Sequence, residues 1–276
     1  MSRQDQFRGK KRPPPVRNFD PYGNRDEYDD DKTEDIIEGR NAVLEALRAG
    51  TTINKVFIAK GDVDSALRHI ASTAREVGTV VVEVDKRKLD TMSSTHAHQG
   101  VIALASCVSY ATVDEIIKNS QDKSEPALIV ICESISDPHN LGAIIRTCEA
   151  VGAHGVIIPK RRSAGLNSTV AKTSGGAVYH MPVARVTNIN ATIKELKNAG
   201  FWIFGTTVTG DSNLWKTDFN APCVIVIGSE GSGISRLVSD NCDYLINIPM
   251  YGKMSSLNAS VSAAIILYEV KRQRAY

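Results

Sequence analysis

The sequence predicts an α/β protein with a mostly parallel sheet, preceded by a smaller α/β module. Two observations carry the first part. Short apolar runs such as Ile129-Val130-Ile131-Cys132 and Cys223-Val224-Ile225-Val226-Ile227 alternate with helical patterns. Runs of that kind, apolar at every position, belong to sheets covered on both faces. A third observation divides the chain: a polar stretch ending at Pro126 separates two such alternating patterns. A length of 276 residues with 42% hydrophobic content suits two domains on the usual scale of about 100 to 200 residues each.

Residues 1–32 combine many charges with Pro13-Pro14-Pro15 and almost no aliphatic side chains, so burial cannot offset chain entropy and a disordered tail is expected. Its basic half holds Arg3, Arg8, Lys10, Lys11, Arg12 and Arg17, and Asp26, Glu27, Asp29, Asp30 and Asp31 follow. The net charge of +2 therefore says little about partners, and the basic half suits either an RNA contact or a plain solvated extension.

A small domain is expected over 33–108. Val43, Leu44 and Leu47 stand at helical spacing over 40–49, with Gly50 as a stop. A strand over 55–59, a helix over 64–77 closed by Gly78, a β-branched strand over 79–84, a short helix over 86–92 and a strand over 101–107 follow. Residues 109–125 read as a linker with one short helix near 113–118. The larger domain, 126–276, has strands at 127–132, 155–158, 201–207, 223–227 and 244–248. Its last helix, over 257–272, places Leu257, Val261, Ala264, Ile265 and Tyr268 on one apolar face and basic residues near its negative end.

Composition excludes several function classes. The five cysteines show no metal-type spacing and several sit in apolar runs, which predicts reduced core thiols in a cytoplasmic protein. No apolar stretch approaches a membrane span, and the first residues lack a signal peptide's apolar core. His96 and His98 have no further ligand at metal spacing, so a loop role and no metal are expected. A G-x-S-x-G elbow for a serine hydrolase does not occur.

Chemistry-bearing residues concentrate at three places where a strand ends, which in open α/β sheets is the edge that binds ligands. In the first, from Glu133 to Arg146, Asp137 suits a helix N-cap and Pro138 the first helical position. Asn140 and Arg146 follow six residues apart, roughly 120° from alignment on a helix, so they act from different sides. From spacing alone Arg146 fits a surface ion pair or, with its planar fork, a phosphate clamp. In the second, Gly228, Gly231 and Gly233 surround Glu230 in a pattern that matches neither a phosphate loop nor a dinucleotide fingerprint. Such a loop either wraps a ligand with its backbone or makes a tight turn before a helix. In the third, Tyr251-Gly252-Lys253 leads from an apolar strand end into Ser255, Ser256 and Asn258; either serine can cap the final helix, with Asn258 in its first turn.

Asn140 to Arg146, the Gly228-Ser229-Glu230-Gly231 loop, and Pro249-Met250 through Ser256-Leu257-Asn258-Ala259-Ser260-Val261 resemble, in order and spacing, the three motifs of the SpoU (TrmH-like) family of RNA 2′-O-ribose methyltransferases. Glu38-Gly39-Arg40-Asn41-Ala42-Val43 and His98-Gln99-Gly100-Val101 look like the substrate-binding domain of the family's bacterial 23S rRNA guanosine methyltransferases. The resemblance covers everything after the tail. It implies a SPOUT-type trefoil-knotted, Rossmann-like catalytic domain, with a ribosomal-protein-like α/β domain that binds RNA substrate.

The same resemblance implies S-adenosyl-L-methionine as cofactor, held by Thr206, Gly228, Ile248, Met250 and Leu257 in a homodimer. It assigns catalysis to Arg146, supported by Asn140, Glu230, Ser256 and Asn258, with a guanosine ribose of 23S rRNA as acceptor. The alternatives are a tRNA ribose methyltransferase, a resistance-type rRNA methyltransferase, and a non-catalytic RNA-binding assembly factor. Against the last, a pure binder has no chemical need for that residue set.

Overall fold

The computed structural model describes residues 36–61, 64–93, 95–121, 125–208, 212–229 and 231–275. The expected tail over 1–32 and Glu230 lie outside the described residues. The N-terminal module runs β1 (Ile36–Glu38), α1 (Arg40–Arg48), β2 (Ile53–Ala59), α2 (Ser65–Glu76), β3 (Val80–Val84), α3 (Lys86–Met92) and β4 (Val101–Ala105). Its sheet has the order β1-β4-β2-β3, with β4 antiparallel to both neighbours and β2 parallel to β3. Val43, Leu47, Leu67 and Ile70 bring α1 and α2 onto one face, while Leu89 of α3 packs with Phe57 and Ile102 on the other. Asp64 and Asp85 cap α2 and α3 by accepting the N–H groups of Leu67 and Arg87. Buried His98 has Nε2 2.9 Å from Asp90 and accepts the Gly100 N–H at Nδ1, which braces the loop before β4.

The larger unit begins with α4 (Val113–Gln121), inside the stretch predicted as a linker. Then come β5 (Leu128–Cys132), α5 (Pro138–Ala150), β6 (Gly155–Pro159), α6 (Ser168–Thr173), β7 (Val183–Val186), α7 (Ile189–Asn198), β8 (Trp202–Thr206), β9 (Ser212–Asn213), β10 (Cys223–Ile227), α8 (Arg236–Ser239), β11 (Tyr244–Asn247) and α9 (Ala259–Ala275). The strands form one sheet of order β7-β6-β5-β10-β8-β11-β9, parallel at every pairing among the described residues. Alternation along β5 shows the three layers. Leu128, Val130 and Cys132 face a core shared with α5 and α9, and Ile129 and Ile131 face one shared with α4, α7 and α8. The chain builds outward from β5 through β6 to β7, then crosses back to lay β8 and β10 on the other side. That reversal is the switch point where such sheets open a crevice at their carboxyl ends.

The last helix corrects an expectation. Ala259, Ala263, Ile266, Leu267, Glu269 and Val270 are its buried residues, whereas Val261 and Tyr268, read as part of its apolar face, are 46% and 57% exposed. Apolar residues lie on several sides of this helix, so spacing alone could not choose the inner one. Arg274 does more than sit near a negative helix end. Its guanidinium donates to the carbonyls of Phe219, Pro126 and Ala221, which ties the C-terminus to the starts of β5 and β10.

All five cysteines are free, and Cys132, Cys148 and Cys223 are buried. Burial pushes the Cys132 thiol up to about 12 and the Cys223 thiol up to about 11. Among the described residues no helix is long and apolar enough to cross a membrane.

At the seam between α4 and the sheet, fully buried Ile116 lies where Gly155 leaves space, since a Cβ there would stand 2.6 Å from Ile116 Cγ2. Gly155→Val is therefore expected to cost about 1–3 kcal/mol by overpacking, read as a lower urea midpoint. Combined with Ile116→Ala it should cost less than the two single changes added together.

Candidate active site

Four strands, β5, β10, β8 and β11, present their carboxyl ends side by side, and the loops that leave β8, β10 and β11 close around one cavity. β10 ends at Ile227, and Gly228 then passes so near the backbone of Gly233 and Ile234 that no side chain fits at position 228. Ser229 and Gly233 exchange N–H···O bonds of 3.1 and 2.9 Å, with Gly233 at φ +64, so the loop doubles back on itself. Glu133, the first residue after β5, fastens the far side of this loop. Its carboxylate accepts the Ser235 N–H at 2.9 Å and the Ser235 hydroxyl at 2.6 Å, and its own N–H donates to Ile227. Sequence reasoning set Glu133 at the start of a polar strand-end junction but gave it no role, since its partner Ser235 lies far along the chain.

The cavity is about 330 Å³, within the range of small-molecule sites though near its lower end. Ile227, Ile246, Ile248, Leu257 and Ile266 give it apolar walls, and Thr206, Ser255, Ser256, Ser262 and the backbone of 228–233 supply polar groups. Of the residues singled out in the sequence, Thr206, Gly228, Ile248, Met250, Ser256 and Leu257 all line it. They come from three separate segments of the chain, the ends of β8 and β10 and the loop after β11. Thr206 spends its hydroxyl on the Val226 carbonyl at 2.9 Å, which locks β8 to β10 at the cavity's edge.

Asn140, Arg146 and Asn258 stand outside that lining. Asp137 caps α5 by accepting the His139 N–H, Pro138 opens the helix, and Asn140 follows in its first turn. Asn258 is the N-cap of α9, where its Oδ1 accepts the N–H groups of Ser260 and Val261 at 2.9 and 3.3 Å. The serines expected in that role lie in the preceding loop instead. Asn258 Nδ2 donates to Asn140 Oδ1 at 2.9 Å, so one side chain both starts α9 and clasps it to α5. Arg146 is exposed, two turns further along α5, with its guanidinium against the Gly175 backbone: a Cβ at Gly175 would stand 3.6 Å from Arg146 Cζ.

A larger groove, about 630 Å³, opens at the opposite ends of β8 and β11, between Trp202 and Tyr244. Its lining comes from the starts of β8 and β11 and from the single segment 212–221, whereas three strand-end loops meet at the smaller cavity on the carboxyl edge, which is the better candidate.

A model of the SpoU rRNA Methylase family matches residues 127–268, and a second, for RNA 2′-O ribose methyltransferase substrate binding, matches residues 36–111. The chain belongs to the SpoU family. It is an S-adenosylmethionine-dependent RNA methyltransferase. YacO of Bacillus subtilis (strain 168), named for the TrmH family of tRNA/rRNA methyltransferases, is 45% identical over 240 residues, spanning 87% of this chain and 96% of its own. The SpoU methyltransferase AviRb from Streptomyces viridochromogenes, solved with AdoMet, superposes with TM-score 0.55 and 27% identity over 87% of this chain and 90% of its own. The A. aeolicus TrmH/SpoU tRNA modifying enzyme gives TM-score 0.51 and 34% identity over 58% of this chain and 81% of its own.

Asn258→Ala removes the cap and the clasp together. It is expected to lower unfolding free energy by about 1–2 kcal/mol in chemical denaturation. Asn140→Ala, which removes the clasp alone, should cost less.

Proposed function

We propose that this enzyme methylates the ribose 2′-hydroxyl of a guanosine in 23S rRNA, as a cytoplasmic homodimer, with S-adenosylmethionine in the cavity at the carboxyl edge of the sheet. The observation that carries the reading is the convergence of Thr206, Gly228, Ile248, Met250, Ser256 and Leu257 on that one cavity. The residues suit the cofactor: aliphatic walls take the faces of a planar base, and backbone groups along the glycine loop, which has no side chain at 228, remain within reach of polar edges. When bound, the cofactor supplies an electrophilic methyl group on a sulfonium centre. Threading of the chain as a trefoil knot belongs to the same proposal.

The protein's own contribution is positioning and charge. A ribose hydroxyl is a poor nucleophile and must shed its proton as it attacks, so holding it in line supplies much of the acceleration. The Arg146 guanidinium offers five donors in a planar fork, which suits it to grip an RNA phosphate and to stabilise negative charge growing on the 2′-oxygen. The clasp between Asn140 and Asn258 keeps α5, and Arg146 with it, at a fixed offset from the start of α9. Ser256, on the cavity wall, and Glu230 complete the polar set around the ribose in this reading.

Arg146 does not line the cavity of its own protomer, and a second copy offers a way to complete the site. Exposed Val261 and Tyr268 lie seven residues apart on one stripe of α9, an apolar face that a partner protomer would cover. The N-terminal domain, residues 33–108, holds folded RNA in this scheme. A separate module of that size supports rRNA as substrate. The 34% identity to a tRNA modifying enzyme over part of the chain keeps tRNA as the second reading.

Incubating the enzyme with methyl-labelled S-adenosylmethionine and unmodified 23S rRNA or tRNA should place label on rRNA. Label on tRNA alone would establish the second reading, and label on neither would sink both. Arg146→Ala is expected to leave the cofactor's Kd unchanged while kcat falls about 10²- to 10³-fold. Near-normal turnover would remove Arg146 from the mechanism.

A further inference from the structure

We infer that Asn54, Tyr110 and Arg185 form a buried polar latch that fixes the angle of the N-terminal module on the catalytic sheet, which makes them positioning residues for the RNA. This rests on the reading that the N-terminal module holds RNA while the sheet edge methylates it. Asn54 sits in β2 where the register with β4 slips between Ile53 and Lys55, and it is only 5% exposed. Each polar atom of its carboxamide has two partners. Nδ2 donates to Ala105 in its own module and to Leu166 in the other, both at 3.0 Å. Oδ1 accepts the Tyr110 hydroxyl at 2.6 Å and Arg185 Nη1 at 3.1 Å.

Arg185, on β7, reaches back across the seam. It also donates to the carbonyls of Asn54 at 3.2 Å and Ile53 at 3.3 Å, and its guanidinium lies 4.5 Å over the Tyr110 ring. The Tyr110 hydroxyl, while donating to Asn54, accepts the Leu166 N–H at 3.0 Å. Gly165 leaves the space Asn54 fills, since a Cβ there would stand 2.6 Å from Asn54 Cγ. The connecting segment is stitched down on either side of Tyr110: Cys107 N–H donates to Leu166 and Ala111 N–H to Val183.

A loose tether would leave the modules free to take many angles. This network does not. Tilting the N-terminal module would strand a buried carboxamide and part of a guanidinium without partners, so one angle is favoured sharply over its neighbours. That angle sets the offset between the RNA held by the first module and the cavity at the carboxyl ends of β8 and β10. Small errors in such an offset cost rate steeply.

The test compares full-length wild type with Asn54→Ala and Tyr110→Phe. The second variant keeps the ring under Arg185 and removes only the hydroxyl's two bonds, so it guards against a simple folding failure of the first. Both variants should bind S-adenosylmethionine as wild type does, while kcat/KM on 23S rRNA drops about 10- to 100-fold for Asn54→Ala and less for Tyr110→Phe. Small-angle scattering should report a larger, broader particle for Asn54→Ala. Variants that bind cofactor, scatter and turn over like wild type would overturn the latch. So would unaltered scattering together with lost cofactor binding, which would mark local damage at the cavity. If wild type itself methylates no RNA, the functional reading fails, whereas the scattering comparison still decides the latch.

Discussion

The contact on which the site depends is the approach of Gly228 to the backbone of Gly233 and Ile234. β10 is held between β5 and β8, so the point where its chain leaves the sheet is fixed by ladders on both sides. A loop leaving there normally swings outward. Here the missing side chain lets it fold back onto itself, and Glu133 pins the returning end from the next strand. The result is a wall made of main chain, whose position is set by the sheet and not by mobile side chains. Backbone walls of that kind are pre-organised, which limits the ordering that must accompany ligand binding.

Helix α5 shows a second economy. A glycine inside a helix, Gly142, costs about 1 kcal/mol relative to alanine. In return α6 packs so closely that Thr173 occupies the space a side chain at 142 would need. The same pairing of α5 with α6 brings the Gly175 turn under Arg146, so the guanidinium rests on a main-chain surface that no side chain crowds. From the other end, Asn258 clasps the start of α5. Both ends of the short path from Asn140 to Arg146 are thereby held.

Much of this architecture was legible in the residues, and the failures have definite causes. Long apolar runs such as 128–132 and 223–227 left no doubt as strands, and Asp137-Pro138 announced α5 through capping chemistry. The short strands escaped. Val183-Ala184-Arg185-Val186 has four residues with a charge among them, and β9 has two, too few for a pattern to emerge. In α9 the apolar residues spread around the helix, so Val261 and Tyr268 were placed on the wrong side. Asn258 was read as an ordinary first-turn residue because its partner, Asn140, lies 118 positions away, a distance no local spacing can reveal. The seam at Asn54 left no trace for the same reason: its partners, Tyr110, Leu166 and Arg185, are far off in sequence.

The sulfur chemistry of the core has a practical consequence. Burial holds the Cys132 and Cys223 thiols well above their usual range and out of reach of reagents, and thiolate is the form that reacts. Alkylating reagents therefore meet Cys132 and Cys223 almost entirely when the sheet opens. The rate at which these two positions are modified becomes a clock for that opening, carried by the native sequence without any introduced label.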